Sequence, residues 1–157
     1  MAKVLPWMIL IALMTVLLTI SFVEPHLLDD RNTFLANFVN HELLGTLGFI
    51  VAVTLASAAS VHFELNKIED QTGKPFSRTR SSLKKSAYSL IALFAAAGLV
   101  VIVKPLLPTP DYNRAVANSL AIGIIFFNLS VLLDLTRTIF KIPSVENIKR
   151  MSTEDSA

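Results

Sequence analysis

The chain has 157 residues, 53% hydrophobic and 17% charged, with mean hydropathy +0.59, which excludes an ordinary water-soluble domain. It contains no cysteine, which excludes disulfides, thiol redox chemistry, iron–sulfur clusters and thiolate zinc sites. The formal charge of +2 is too small to point to nucleic acid, so where the charges fall matters more than their sum.

The apolar residues gather into four blocks, at 4–23, 43–63, 86–103 and 115–133. Each has about the 17–25 residues needed to cross roughly 30 Å of hydrocarbon, where backbone groups must be satisfied within the segment, so each reads as a helix. The short connections favour sequential neighbours. The expected fold is an all-α integral membrane protein, an antiparallel four-transmembrane-helix bundle over residues 1–143 with a short tail at 144–157.

The first block lacks a small-x-small cleavage pattern and reads as a retained helix, with Pro6 in its first turn and Trp7 at an interface. The segment 30–42 reads as helical, with Phe34, Leu35, Phe38 and Val39 on one side, and either lies on the membrane surface or runs on into span two. No breaker follows until Gly73 and Pro75, so a helix from Thr33 to Asp70 would measure roughly 57 Å. Ser81 or Ser82 is placed to cap span three, and Lys104 to snorkel at its far end. Pro105, Pro108 and Pro110 stiffen the next turn, Thr109, Pro110 and Asp111 suit the start of span four, and Pro143 marks its end.

Eleven basic residues lie on one side of this layout. They are Lys3, then Lys67, Lys74, Arg78, Arg80, Lys84 and Lys85, then Arg137, Lys141, Lys149 and Arg150. Only Arg31, Lys104 and Arg114 lie on the other. This bias predicts that both termini and the middle loop are cytoplasmic in a bacterial inner (plasma) membrane.

Lipid tails are as apolar as leucine, so membrane helices meet through small residues. In span two Gly45, Gly48, Ala52, Ala56 and Ala59 share a narrow sector and form a candidate helix-packing stripe, within one subunit or between subunits. In span four Ser119, Gly123, Ser130 and Asp134 form a second stripe and are candidate pore-lining residues, with an Asp134–Arg137 salt bridge as the plainer account of the acid. Asn118 and Asn128 are expected to hydrogen-bond to neighbouring helices. No charged residue lies near the centre of a span, which argues against a proton-coupled transporter or voltage sensor.

The three histidines, His26, His41 and His62, are not placed on facing spans, which argues against a bis-histidine haem. His26, His41 and Glu42 are near enough in sequence to Asp29 and Asp30 to meet around a divalent ion, but nothing in their spacing fixes that geometry. Neither a metal nor another cofactor is expected. Arg78, Arg80, Lys84 and Lys85 are candidate contacts for lipid heads or a partner, besides marking topology. No nucleophile, base and orienter set occurs, and the chain is not expected to be an enzyme.

The expected function is a small membrane protein acting as a self-associating subunit, either pore-forming in the manner of an ion channel or membrane-perturbing. The alternative is an accessory or scaffold subunit that docks a cytoplasmic or membrane partner. In size and four-span layout the chain resembles some small phage-exclusion and abortive-infection membrane proteins of bacteria, a likeness that rests on no motif and transfers no residues.

Overall fold

The computed structural model describes residues 5–73, 75–108 and 111–140. The expectations for Lys3, Lys74, Thr109, Pro110, Lys141, Pro143, Lys149, Arg150 and the tail at 144–157 lie outside the described residues.

Every regular element among the described residues is helical. The four long helices are α1 (Leu5–Val23), α3 (Leu43–Thr72), α4 (Ser77–Val103) and α5 (Asp111–Ile139), with a short α2 (Thr33–Asn37) ahead of α3. Single helical turns occupy Pro25–Leu27 and Lys104–Leu106. Three helical segments, Thr33–Gln71, Ser77–Leu106 and Asp111–Ile139, are long and apolar enough to cross a membrane, while the apolar helix over Trp7–Val23 is shorter.

The helix ends follow local chemistry. Asn32 caps α2, its side-chain oxygen accepting from the backbone N–H groups of Phe34 and Leu35. Gly73 ends α3 at φ +65°, a left-handed conformation that costs glycine little, and its N–H donates to the Glu69 carbonyl. Helix α4 begins at Ser77, well before Ser81 and Ser82, so neither serine is its cap, and no side chain caps it. Glu69 instead braces this turn by accepting from the Phe76 N–H.

Of the two readings of 30–42, the one in which a continuous helix runs on from Thr33 into span two is not met, because the helix is broken. Val39 (φ −80°, ψ 61°) and Asn40 (φ −149°, ψ −150°) leave helical geometry between α2 and α3. Neither residue is a glycine or a proline. The Asn40 side chain accepts from the His41 N–H at 2.8 Å, which offers the backbone a local alternative to the helical ladder.

In space the helices follow the order α1, α5, α4, α3, each packed on the next. Paired residues run in opposite directions along every contact: Ser21 with Ser119 and Trp7 with Phe127, Leu83 with Leu135, Ala58 with Leu83. The helices are therefore antiparallel, but span one packs on span four and not on span two, contrary to the expected order of sequential neighbours.

Two apolar clusters hold α3, α4 and α5 together. One contains Val39, Leu43, Leu47, Ala97 and Ala121, and the other Ala58, Leu83 and Leu135. Seven-residue spacing places Leu83, Leu90 and Ala97 along one seam of α4, and Ala121, Asn128 and Leu135 along the facing seam of α5.

Candidate functional site

The polar chemistry of the fold concentrates where α1 ends and α5 begins. Asp30, in the α1–α2 connection, accepts from the Lys104 ammonium at 2.8 Å and from the Asn118 amide at 3.3 Å, with Arg114 at 3.5 Å. Lys104 also donates to the Val39 carbonyl at 3.4 Å, at the place where the backbone leaves helical geometry ahead of α3. Only 7% of Lys104 is exposed, so it does not snorkel. It is buried as the link between the α1–α2 connection, the helix break and the end of α4.

Around this link, buried Asp29 accepts from the Arg31 backbone N–H at 2.9 Å, and Arg31 reaches Asp111 at the start of α5 at 2.6 Å. Asn118, fully buried, donates to the Leu28 carbonyl at 2.8 Å, so it ties the connection, rather than a neighbouring long helix, to α5. Asp29, Asp30 and Asp111 balance Arg31, Lys104 and Arg114, which consumes all three basic residues of this end. Burial alone would raise the Asp30 pKa; hydrogen bonds from Lys104 and Asn118, with the charges of Lys104 and Arg114, outweigh it and hold the carboxyl below 3.8.

The first half of the span-four stripe, Ser119 and Gly123, lies inside the molecule. Ser119 is buried against Ser21, hydroxyl to hydroxyl at 2.7 Å. A Cβ built on Gly123 would come within 2.2 Å of Met14 Sδ, so the missing side chain is what admits α1. Ser119 and Gly123 thus serve the α1–α5 contact and cannot line a path while α1 covers them. Ser130 donates to the Phe126 carbonyl one turn back, and exposed Asp134 makes no ion pair with Arg137.

The span-two stripe has the opposite placement. Gly45, Ala52, Ala56 and Ala59 are exposed and Gly48 is half-buried beneath Phe94, while Leu43, Leu47, Val51, Ala58 and Leu65 make up the buried side of α3. Four of the five stripe residues thus face away from the other helices of the chain, on an outer side that also carries exposed Phe49, Val53 and Phe63, while Leu43, Leu47 and Leu65 face inward.

The basic candidates divide. Arg80 bridges α4 to α3 by donating to Glu69 and Asn66. Arg78, Lys84 and Lys85 are exposed and make no ion pair among the described residues, although the Lys84 ammonium sits 5.8 Å over the Tyr88 ring. His26 pairs with Glu24 at 3.2 Å, and His41 and His62 are exposed. Among the described residues no three His, Asp or Glu side chains gather closely enough to hold a metal ion.

Asn128 was expected to bond to a neighbouring helix. It is 2% exposed, on the α5 seam between the two apolar clusters, and neither amide atom has a hydrogen-bond partner among the described residues. Removing an unpaired buried amide relieves its desolvation cost, so Asn128→Leu is expected to stabilise the fold by about 1 kcal/mol. Thermal unfolding in detergent measures this, and a clear loss of stability would show that the amide has a partner that matters.

Comparison with known proteins gave no match among protein-family models, curated proteins or solved structures.

Proposed function

We propose that the chain is a multi-pass membrane protein with both termini cytoplasmic, acting as a subunit that self-associates through the Gly45, Ala52, Ala56 and Ala59 face of α3. The observation that carries this reading is the outward placement of Gly45, Ala52, Ala56 and Ala59 on α3, while Leu43, Leu47 and Leu65 fill the core. In water such a face would be of little use. In lipid it is where a second helix approaches most closely and gains the most dispersion contact.

The membrane setting is supported by the large apolar side chains exposed along the helices, among them Ile9 and Ile11 of α1, Phe49 of α3, and Leu99 and Ile102 of α4. The two ends also differ in charge as the positive-inside rule requires. Lys67, Arg78, Arg80, Lys84, Lys85 and Arg137 lie toward one end, against Arg31, Lys104 and Arg114 at the Asp30 end. A pore lined by Ser119 and Gly123 gains no support, because α1 covers both; a membrane-perturbing assembly remains the more specific version.

The test is the mass of the purified protein in nanodiscs. The reading predicts a dimer or larger species that falls to monomer in Ala52→Leu with the helical content unchanged. A wild-type monomer would overturn self-association and move the reading to an accessory subunit whose α3 face takes a different protein.

A further inference from the structure

We infer that the outward face of α4 binds the phosphate headgroup of an anionic phospholipid. The inference rests on the membrane reading above and concerns a different helix from the one proposed for assembly.

The buried side of α4 is marked by Leu83, Ser86, Leu90 and Ala97. The opposite side changes character along its length. Arg78, Ser81, Lys84 and Lys85 come first, all exposed, followed by exposed Tyr88 and then by apolar Ile91, Leu99 and Ile102. Three- and four-residue steps from Ser81 through Lys84 and Lys85 to Tyr88 keep these groups on one face. The order is that of a lipid: a charged head, an interfacial zone, a hydrocarbon tail.

Local helix physics makes these cations a poor choice on their own. Helix α4 carries four basic residues, all in its first nine positions, and no acid, and two of them, Arg78 and Arg80, sit in the first turn against the positive end of the helix dipole. The protein neutralises one of the four, since Arg80 is held by Glu69 and Asn66. Arg78, Lys84 and Lys85 have no carboxylate partner among the described residues, and the ring of Tyr88 lies beneath the Lys84 ammonium at interfacial height. The phosphate of an anionic lipid supplies counter-charge to this cluster, while its chains run along Ile91 and Leu99. A serine hydroxyl at Ser81 adds a donor within the same turn as Lys84 and Lys85.

Trp7 is the single tryptophan and lies against Phe127, away from this face, so the Trp7→Phe, Tyr88→Trp protein carries one reporter beside the cations. The full chain is reconstituted in vesicles of phosphatidylcholine with chain-brominated phosphatidylglycerol or chain-brominated phosphatidylcholine, and fluorescence quenching is read. The expected preference for phosphatidylglycerol is about fivefold at low salt, falling to none in Arg78→Gln/Lys84→Gln/Lys85→Gln. Equal quenching by both lipids, as a pure topology signal would give, overturns the headgroup site and leaves the membrane reading intact. Absence of quenching by either lipid overturns the membrane reading itself. A preference removed by inorganic phosphate, but not by chloride at equal ionic strength, assigns the cations to free phosphate and overturns the lipid.

Discussion

Lys104→Met is expected to destabilise the fold by about 3 kcal/mol, among the largest effects of any single substitution in this chain. Methionine keeps the length of the apolar stem but removes the ammonium that touches both Asp30 and the Val39 carbonyl. The cost sits at the low end for broken buried pairs because Asp30 keeps Asn118 and Arg114 and is partly solvated, its side chain 26% exposed. The Val39 carbonyl loses its contact with Lys104 where the backbone already leaves helical geometry. Hydrogen exchange should therefore quicken first around residues 38–44, and thermal unfolding in detergent should report the loss. Lys104→Met combined with Asp30→Leu should cost less than the sum of the two single changes, since the double variant leaves no uncompensated charge. Additive losses would mean that the pair is not coupled.

The same pair fixes a pH dependence. Asp30 titrates below its ordinary 3.8 in the folded chain, so its contribution is complete above that value and is lost as the pH falls through the lower folded value. The wild type should hold this part of its stability between pH 5 and 8 and lose it only in strong acid, a loss absent from Asp30→Asn.

Gly123→Leu is expected to cost about 2 kcal/mol by forcing α1 away from α5. Even a Cβ at this position overlaps Met14, at 2.2 Å from Sδ and 3.0 Å from Cε. Met14 is flexible and a methyl group alone is absorbed by its movement. Leucine adds three more carbons to an interface already closed by the Ser21–Ser119 contact and the Trp7–Phe127 edge-to-face pair at 5.3 Å. Part of the steric cost is offset by the better helix propensity of leucine. Met14→Ala in the same chain should recover about half of the lost stability, and failure to recover any would show that Gly123 matters for a reason other than room for Met14.

These two sites show what could be read from the amino-acid order. The helical character, the approximate spans and the stop at Gly73 follow from apolar run length and from the need for a left-handed residue. The break at Val39 and Asn40 was not legible, because no glycine or proline marks it and Asn40 acts through its own side chain. Lys104 looks like a snorkelling residue in any sequence reading. Only the fold brings Asp30 to it, from a connection more than seventy positions earlier.

The small-residue stripes were legible as stripes but not in their use. A helical wheel finds Ser119 and Gly123 together, and it finds Gly45, Ala52, Ala56 and Ala59 together, but it does not say which helix lies opposite. Spatial order decides that. Because α1 packs on α5, Ser119 and Gly123 of the span-four stripe are consumed within the chain. Because α3 stands at the edge of the row, the span-two stripe is left facing outward.

Disulfide crosslinking in native membranes tests that outward face directly, since the chain has no cysteine of its own. A bridge forms only when two Cα atoms come within about 7 Å, closer than loosely colliding helices hold them. The account predicts covalent dimers from Ala52→Cys and Ala56→Cys under mild oxidation, and none from Leu99→Cys on the lipid-facing side of α4. Monomers from both α3 variants, or equal dimer formation by Leu99→Cys, would contradict it.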